Sequence, residues 1–183
     1  NAKDIVGNTI KYRSDPIFLD PRNSALGGRI IINLEKLYLS IKKLNLKSSN
    51  IKEYYDHSFD IGIPQIDTQK LQNKLFGIEC NFEELNGLDF KKGCYVGQEN
   101  TARIKLKDKQ SKRLFPIKVL EGKINVDDEI KQKNKIFGKV LLDQNYPFAL
   151  IKFKDHDINI TENFICGKAK IKILQPDWFK FKT

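Results

Sequence analysis

Between Lys168 and Ile173 the chain reads KAKIKI, a lysine or an apolar residue at every second position. Period two places one set of side chains on one face of an extended strand and the other set on the opposite face, so this hexapeptide is predicted to be a half-buried β-strand. The same texture begins near Lys112. Residues 114–120, 129–132, 136–143, 148–154 and 169–174 are short, apolar or β-branched, and Gly122, Asn134, Asn145 and Pro147 supply turn residues between them. Strands at this spacing leave exposed edges unless the sheet curls onto itself, so residues 111–183 are expected to form a small antiparallel β-barrel. Phe148, Phe153 and Phe164 are assigned to its core, and Trp178 is expected to anchor the tail onto the barrel or onto the preceding unit.

Residues 1–110 read differently, as a mixture of helix and strand, giving an α+β fold class for the whole chain. Strands are predicted over 8–12, 17–20 and 28–32, with turn residues filling 23–28. Asn33 suits a helix N-cap, and Leu34, Leu37, Ile41 and Leu44 follow at three- and four-residue steps with lysines between them, an amphipathic helix. A second helix is expected over 51–59, stopped by Gly62-Ile63-Pro64. Residues 67–90 are expected to hold a short helix at 69–75 among irregular structure. Tyr54 and Tyr55 are read as packing residues.

Chemistry is concentrated in one octapeptide, KGCYVGQE, from Lys92 to Glu99. Gly93 and Gly97 bracket Cys94 and are assigned as loop-forming residues that permit positive φ or close approach. Residues 98–107 lack Gly and Pro and are compatible with a short helix starting near Gly97, or with a strand. In a helix, Glu99 lies in the first turn and Cys94 lies just ahead of the unsatisfied N–H groups, which favour a thiolate. Lys92 acts in the same direction. A cysteine so placed can serve as nucleophile, redox group or soft-metal ligand, whereas the plainer reading is a small buried thiol in a glycine turn.

The run from Asn81 to Glu99, with Ala102-Arg103 and Lys112-Arg113 after it, resembles the YgfZ-like folate-binding proteins, whose signature K-G-C-[FY]-x-G-Q-E is matched at every position. Asp20-Pro21-Arg22, the stretch from Gly27 to Arg29, and Gly62-Ile63-Pro64 ahead of Glu79 and Asn81 extend the likeness over nearly the whole chain. The resemblance implies an aminomethyltransferase-like folate-binding region followed by a C-terminal barrel, in an accessory factor for iron–sulfur cluster assembly or repair. It implies Cys94 as the reactive or cluster-contacting group, Lys92 lowering its pKa, Tyr95 beside it, Gln98 and Glu99 fixing the loop or touching a pterin edge, and Arg103 orienting Glu99. Tetrahydrofolate is the implied cofactor. The implied partners are folate and iron–sulfur client proteins, in the cytoplasm of a bacterium or the mitochondrial matrix of a eukaryote. Two positions depart from the pattern: Ser58 stands where an arginine helps hold folate in the aminomethyltransferases, and Gly77 replaces a proline. Family members also carry roughly a hundred residues ahead of the Asp20 stretch, so an N-terminal segment is expected to be missing here.

Charge and composition bear on the competing readings. The net charge of +10 invites nucleic acid through counterion release, yet 28 of the 33 basic residues are lysine, which suits neither bidentate phosphate clamps nor base-edge readers. Lysine bias together with Asn and Ile is the pattern of AT-rich coding. The dense run from Arg103 to Lys118 is expected to be a solvated face. Cysteines at 80, 94 and 166 are odd in number and widely spaced, which argues against a disulfide framework. With His57 and His156 far apart, neither a zinc site nor a Cys-His-Asp triad is predicted. No apolar run reaches the roughly 20 residues of a membrane span, so no membrane partner is expected. Two other function classes stand beside the accessory factor: an aminomethyltransferase passing a one-carbon unit to tetrahydrofolate, and a basic RNA-binding module.

Overall fold

The computed structural model describes residues 8–93, 96, 98–106, 112–153 and 159–180. The chain divides into two compact units, residues 1–57 and 58–183, with the division falling inside one helix.

The first unit opens with a three-stranded antiparallel sheet, β1 (Thr9–Tyr12), β2 (Asp15–Leu19) and β3 (Gly28–Ile30), in the order β1-β2-β3. A 3-10 turn at Ser24–Leu26 joins the last two strands, capped by the Asn23 side chain. Helix α1 (Leu34–Lys43) starts where expected, because Asn33 Oδ1 accepts the Glu35 N–H at 2.9 Å. Helix α2 (Ile51–Ile61) is launched by Asn50, whose side chain accepts the Lys52 N–H.

Beneath β2 lies the buried carboxylate of Asp20. Arg22 reaches it through its backbone N–H, Nε at 3.0 Å and Nη2 at 2.9 Å, and Arg29 Nε adds a bond of 2.6 Å. Burial disfavours this charge, but the Arg22 and Arg29 hydrogen bonds outweigh burial and hold the acid at about 2. Arg29 also donates to the Tyr54 hydroxyl at 2.9 Å, so Tyr54 is an acceptor at this clamp as well as a packing residue.

In the second unit, α2 ends in a Schellman motif: Gly62 N–H donates to Phe59 O and Ile63 N–H to Ser58 O. Gly62 takes φ +85°, and a Cβ there would lie 2.4 Å from Pro176 Cγ, so both the turn and the neighbouring tail require glycine. The helix therefore runs two residues beyond the predicted end. The expected helix at 69–75 is a shorter 3-10 turn, Thr68–Leu71.

Six strands close the barrel: β4 (Lys112–Glu121), β5 (Glu129–Gln132), β6 (Lys135–Leu142), β7 (Phe148–Lys152), β8 (Phe164–Cys166) and β9 (Ala169–Ile173), in the order β4-β7-β6-β5-β8-β9 with β9 returning to β4. The α+β class and the C-terminal barrel are as expected, but the sequence revealed five strands. The sixth, β8, is three residues long, below the length at which alternation registers, and a two-residue turn at Gly167 joins it to β9.

Phe115, Ile117, Ile130, Val140, Ile151, Phe164 and Ile171 fill the interior at 1% exposure or less. A second cluster lies on the outside of the barrel, where Leu114, Leu141, Phe148 and Leu150 meet Leu71 and Phe59. This explains why β4 and β7 read as continuous apolar runs: each is covered on both faces. Phe164 is buried in the interior as assigned, Phe148 is buried in the outer cluster instead, and Phe153 packs half-buried against the interior cluster. The tail folds back as well, with Phe179 edge-on to Phe115 and Trp178 Nε1 donating to Ile61 O at 2.7 Å. Among the described residues no helix is long and apolar enough to cross a membrane.

Candidate functional site

The chain approaches the octapeptide through a run of turns, residues 76–93, fastened to the first barrel strand. Leu114 N–H donates to Glu79 O at 2.8 Å, and the buried Asn81 returns a bond from Nδ2 to Leu114 O at 2.7 Å. Asn81 itself takes φ +62°, a conformation asparagine tolerates better than most residues. Ile78 beside it is fully buried. Glu79 turns its carboxylate onto its own turn, accepting the Phe76 N–H at 3.1 Å. Gly77 has a local reason: a Cβ there would come within 3.0 Å of the Phe82 ring.

Helix α3 (Gln98–Leu106) resolves the helix-or-strand alternative in favour of helix. Gln98 opens it, and Glu99 lies in its first turn, where a carboxylate complements the free N–H groups. One tie to the turn segment is unforeseen. Lys105 Nζ pairs with Glu83 Oε1 and sits 3.7 Å from the centroid of the Phe90 ring. Next to it, Arg113 is buried, its Nη2 lying 3.4 Å from Glu84 Oε1 and its guanidinium 6.0 Å from the Phe179 ring centroid. The basic run is thus not uniformly solvated, since two of its cations serve as internal ties.

Cys94, Tyr95 and Gly97 lie outside the described residues. Lys92, Gly93, Val96 and Glu99 are all exposed, so these members of the octapeptide sit at the surface. The φ of Gly93 is not in the left-handed region, and among the described residues an added Cβ there would meet nothing within 4 Å. Arg103 and Glu99, the pair expected to interact one turn apart, are both exposed on α3. In open solvent an i,i+4 pair gains a few tenths of a kcal/mol.

The other two thiols are placed for packing. Burial, with Glu79 nearby, pushes Cys80 up to about 11, and burial, with Asp128 nearby, does the same to Cys166. Neither is a nucleophile at neutral pH. Among the described residues no group of three or more His, Cys, Asp or Glu is arranged to hold a metal ion.

Sequence comparison points the same way as the octapeptide. No family model matches the chain. It is 34% identical over 113 residues to the mitochondrial iron-sulfur cluster assembly factor IBA57 homolog of Neurospora crassa, covering 62% of this chain and 25% of that protein. To the Dictyostelium discoideum homolog it is 33% identical over 102 residues, 55% of this chain and 25% of the relative. To human mitochondrial IBA57 it is 31% identical over 102 residues, 56% of this chain and 28% of the relative. The chain spans about a quarter of the length of these relatives in the matched region.

Proposed function

We propose that this protein takes part in iron–sulfur cluster assembly in mitochondria, with Cys94 as its working thiol. The observation that carries the proposal is the similarity to relatives named as mitochondrial iron-sulfur cluster assembly factors in a fungus, an amoeba and a mammal. Chemistry supports the choice of thiol by contrast, because burial raises Cys80 and Cys166 while the described neighbours of Cys94 in the octapeptide are solvent-facing. A cluster is cargo here. A single cysteine supplies one of the four thiolates a common cluster takes, so the remaining ligands belong to a donor or client protein.

Tetrahydrofolate is proposed as a ligand of the same region, and the residues present fit part of it. A pterin edge offers N–H donors; Asn81 Oδ1, Glu83 Oε2 and Glu84 Oε2 are buried oxygens that accept no hydrogen bond among the described residues. Ser58 does not replace the arginine expected at its position, since it is fully buried and its Oγ donates to Ile63 O at 2.7 Å.

Complementation tests the proposal. In a fungal strain lacking its own IBA57, the full-length protein should restore the activities of iron–sulfur enzymes and a Cys94→Ser variant should not. Failure of the unaltered protein to restore them, at normal abundance in the organelle, overturns the assembly role. Full rescue by Cys94→Ser overturns the thiol's part in it.

A further inference from the structure

The Asp20 clamp of the first unit has an outer side as well as a buried one. Asp20 continues β2, its N–H donating to Gly27 O at 2.9 Å, and Arg29 stands opposite Phe18 in β3, so strand alternation brings Asp20 and Arg29 to the same face of the sheet. Arg22 takes the carboxylate with two prongs, Nε to Oδ1 and Nη2 to Oδ2, and Arg29 Nε arrives at the same Oδ2. The negative charge is already matched by Arg22, so the charge of Arg29 is in excess at that oxygen. The Asp20 carboxylate is 1% exposed, while the Arg22 and Arg29 side chains are 33% and 43% exposed, and the guanidiniums therefore lie between the acid and solvent. Tyr54 completes this outer side. Its hydroxyl accepts from Arg29 Nη2 at 2.9 Å and is reached by Arg22 as well. An oxygen that receives guanidinium donors must send its own proton elsewhere, and that proton meets no acceptor among the described residues. Arg29 Nη1 likewise makes no hydrogen bond among the described residues.

We infer that Arg29 and Tyr54, with Arg22 beside them and Asp20 beneath, form a binding site for an oxyanion, the carboxylate or phosphate group of a small ligand. A guanidinium edge next to a phenolic O–H presents donors only, which matches a group with several acceptor lone pairs. The excess positive charge selects an anion over a neutral carbonyl. Asp20 acts as the support: its bonds hold both arginine forks in place before a ligand arrives, so less side-chain freedom is lost on binding. A clamp with a purely structural role differs in one measurable respect, since its outer donors are only hydrated and take up no anion in a saturable way. The site lies wholly within residues 1–57 and uses no cysteine, so it stands whether or not Cys94 is the working thiol.

Isothermal titration of the full chain with inorganic phosphate and, separately, with succinate tests the site, at an ionic strength held constant with sodium chloride so that general screening is the same throughout. Saturable binding of at least one probe is expected, and the tighter probe identifies the group. Tyr54→Phe keeps the ring and both arginines and should weaken binding about threefold, whereas Arg29→Lys keeps the charge but loses the planar fork and should weaken it about tenfold. No saturable binding of either probe overturns the inference. Binding that both variants leave unchanged also overturns it, because the anion then sits elsewhere on a chain of net charge +10. If Arg29→Lys loosens the clamp enough to unfold the chain, Tyr54→Phe decides alone: a weaker constant supports the site and an unchanged one refutes it.

Discussion

Gly62→Ala is the substitution whose cost the structure defines most closely. Alanine at φ +85° is strained by about 1 kcal/mol relative to glycine. Its Cβ would also lie 2.4 Å from Pro176 Cγ and 3.0 Å from Pro176 Cβ, and a proline ring cannot swing aside as a flexible side chain can. The tail must therefore move, which strains the nearby bond from Trp178 Nε1 to Ile61 O at 2.7 Å and the packing of Phe179 on Phe115. Overpacking of this kind costs about 1 to 3 kcal/mol, so the total is about 3 kcal/mol. Urea unfolding followed by Trp178 fluorescence measures it, Trp178 being the chain's single tryptophan. Pro176→Ala removes Cγ and should relieve part of the clash, giving a double-mutant coupling of about 1 kcal/mol. A coupling below about 0.3 kcal/mol, or a Gly62→Ala cost below about 0.5 kcal/mol, refutes the account in which tail and helix end exclude a side chain between them.

Three further outcomes follow from the described contacts. Asp20 is lowered from 3.8 to about 2, so its clamp stabilises the fold above about pH 4 and the contribution, about 2 kcal/mol, is lost as pH falls toward 2; Asp20→Asn should therefore destabilise at pH 7 and progressively less below pH 4, and a difference independent of pH would contradict the assignment. Asn81→Ala breaks the bond to the Leu114 carbonyl in a buried position and should cost about 2 kcal/mol, with amide exchange accelerated across residues 76–90; unchanged exchange there means that the Asn81 bond does not fasten the turn segment. Cys80 and Cys166, both raised to about 11, should resist alkylation at pH 7 until denaturant is added, as counted by mass spectrometry.

The elements visible in the sequence are those whose local signal and tertiary role coincide. Asn33 caps α1 because the cap is a local hydrogen bond, and β9 follows KAKIKI because its alternate residues face core and solvent. The pattern breaks down where burial comes from two directions. Strands β4 and β7 are covered inside by the barrel core and outside by Phe59 and Leu71, so they do not alternate, and apolar runs alone cannot say which helix will cover them. The three-residue β8 is a strand because β5 and β9 flank it, which is a property of the closed sheet rather than of Phe164, Ile165 and Cys166.

At the candidate site the division is sharper. The sequence left residues 98–107 open between helix and strand, and α3 begins at Gln98. Arg103 stands at the helical interval from Glu99, the arrangement a sequence reading favours, and both are exposed. Lys105 looks like any of the lysines in the run from Arg103 to Lys118. What distinguishes it is partial burial beside Glu83, 22 residues upstream, and Phe90, and both become neighbours once Asn81 has fastened the turn segment to β4. A charge acquires a specific role when its surroundings remove water from it, because the effective dielectric constant then falls and one partner dominates over many. Counting cations along a chain cannot reveal that step, and a carboxylate with a ring beside it can, which is why Lys105 is tied into the turn segment.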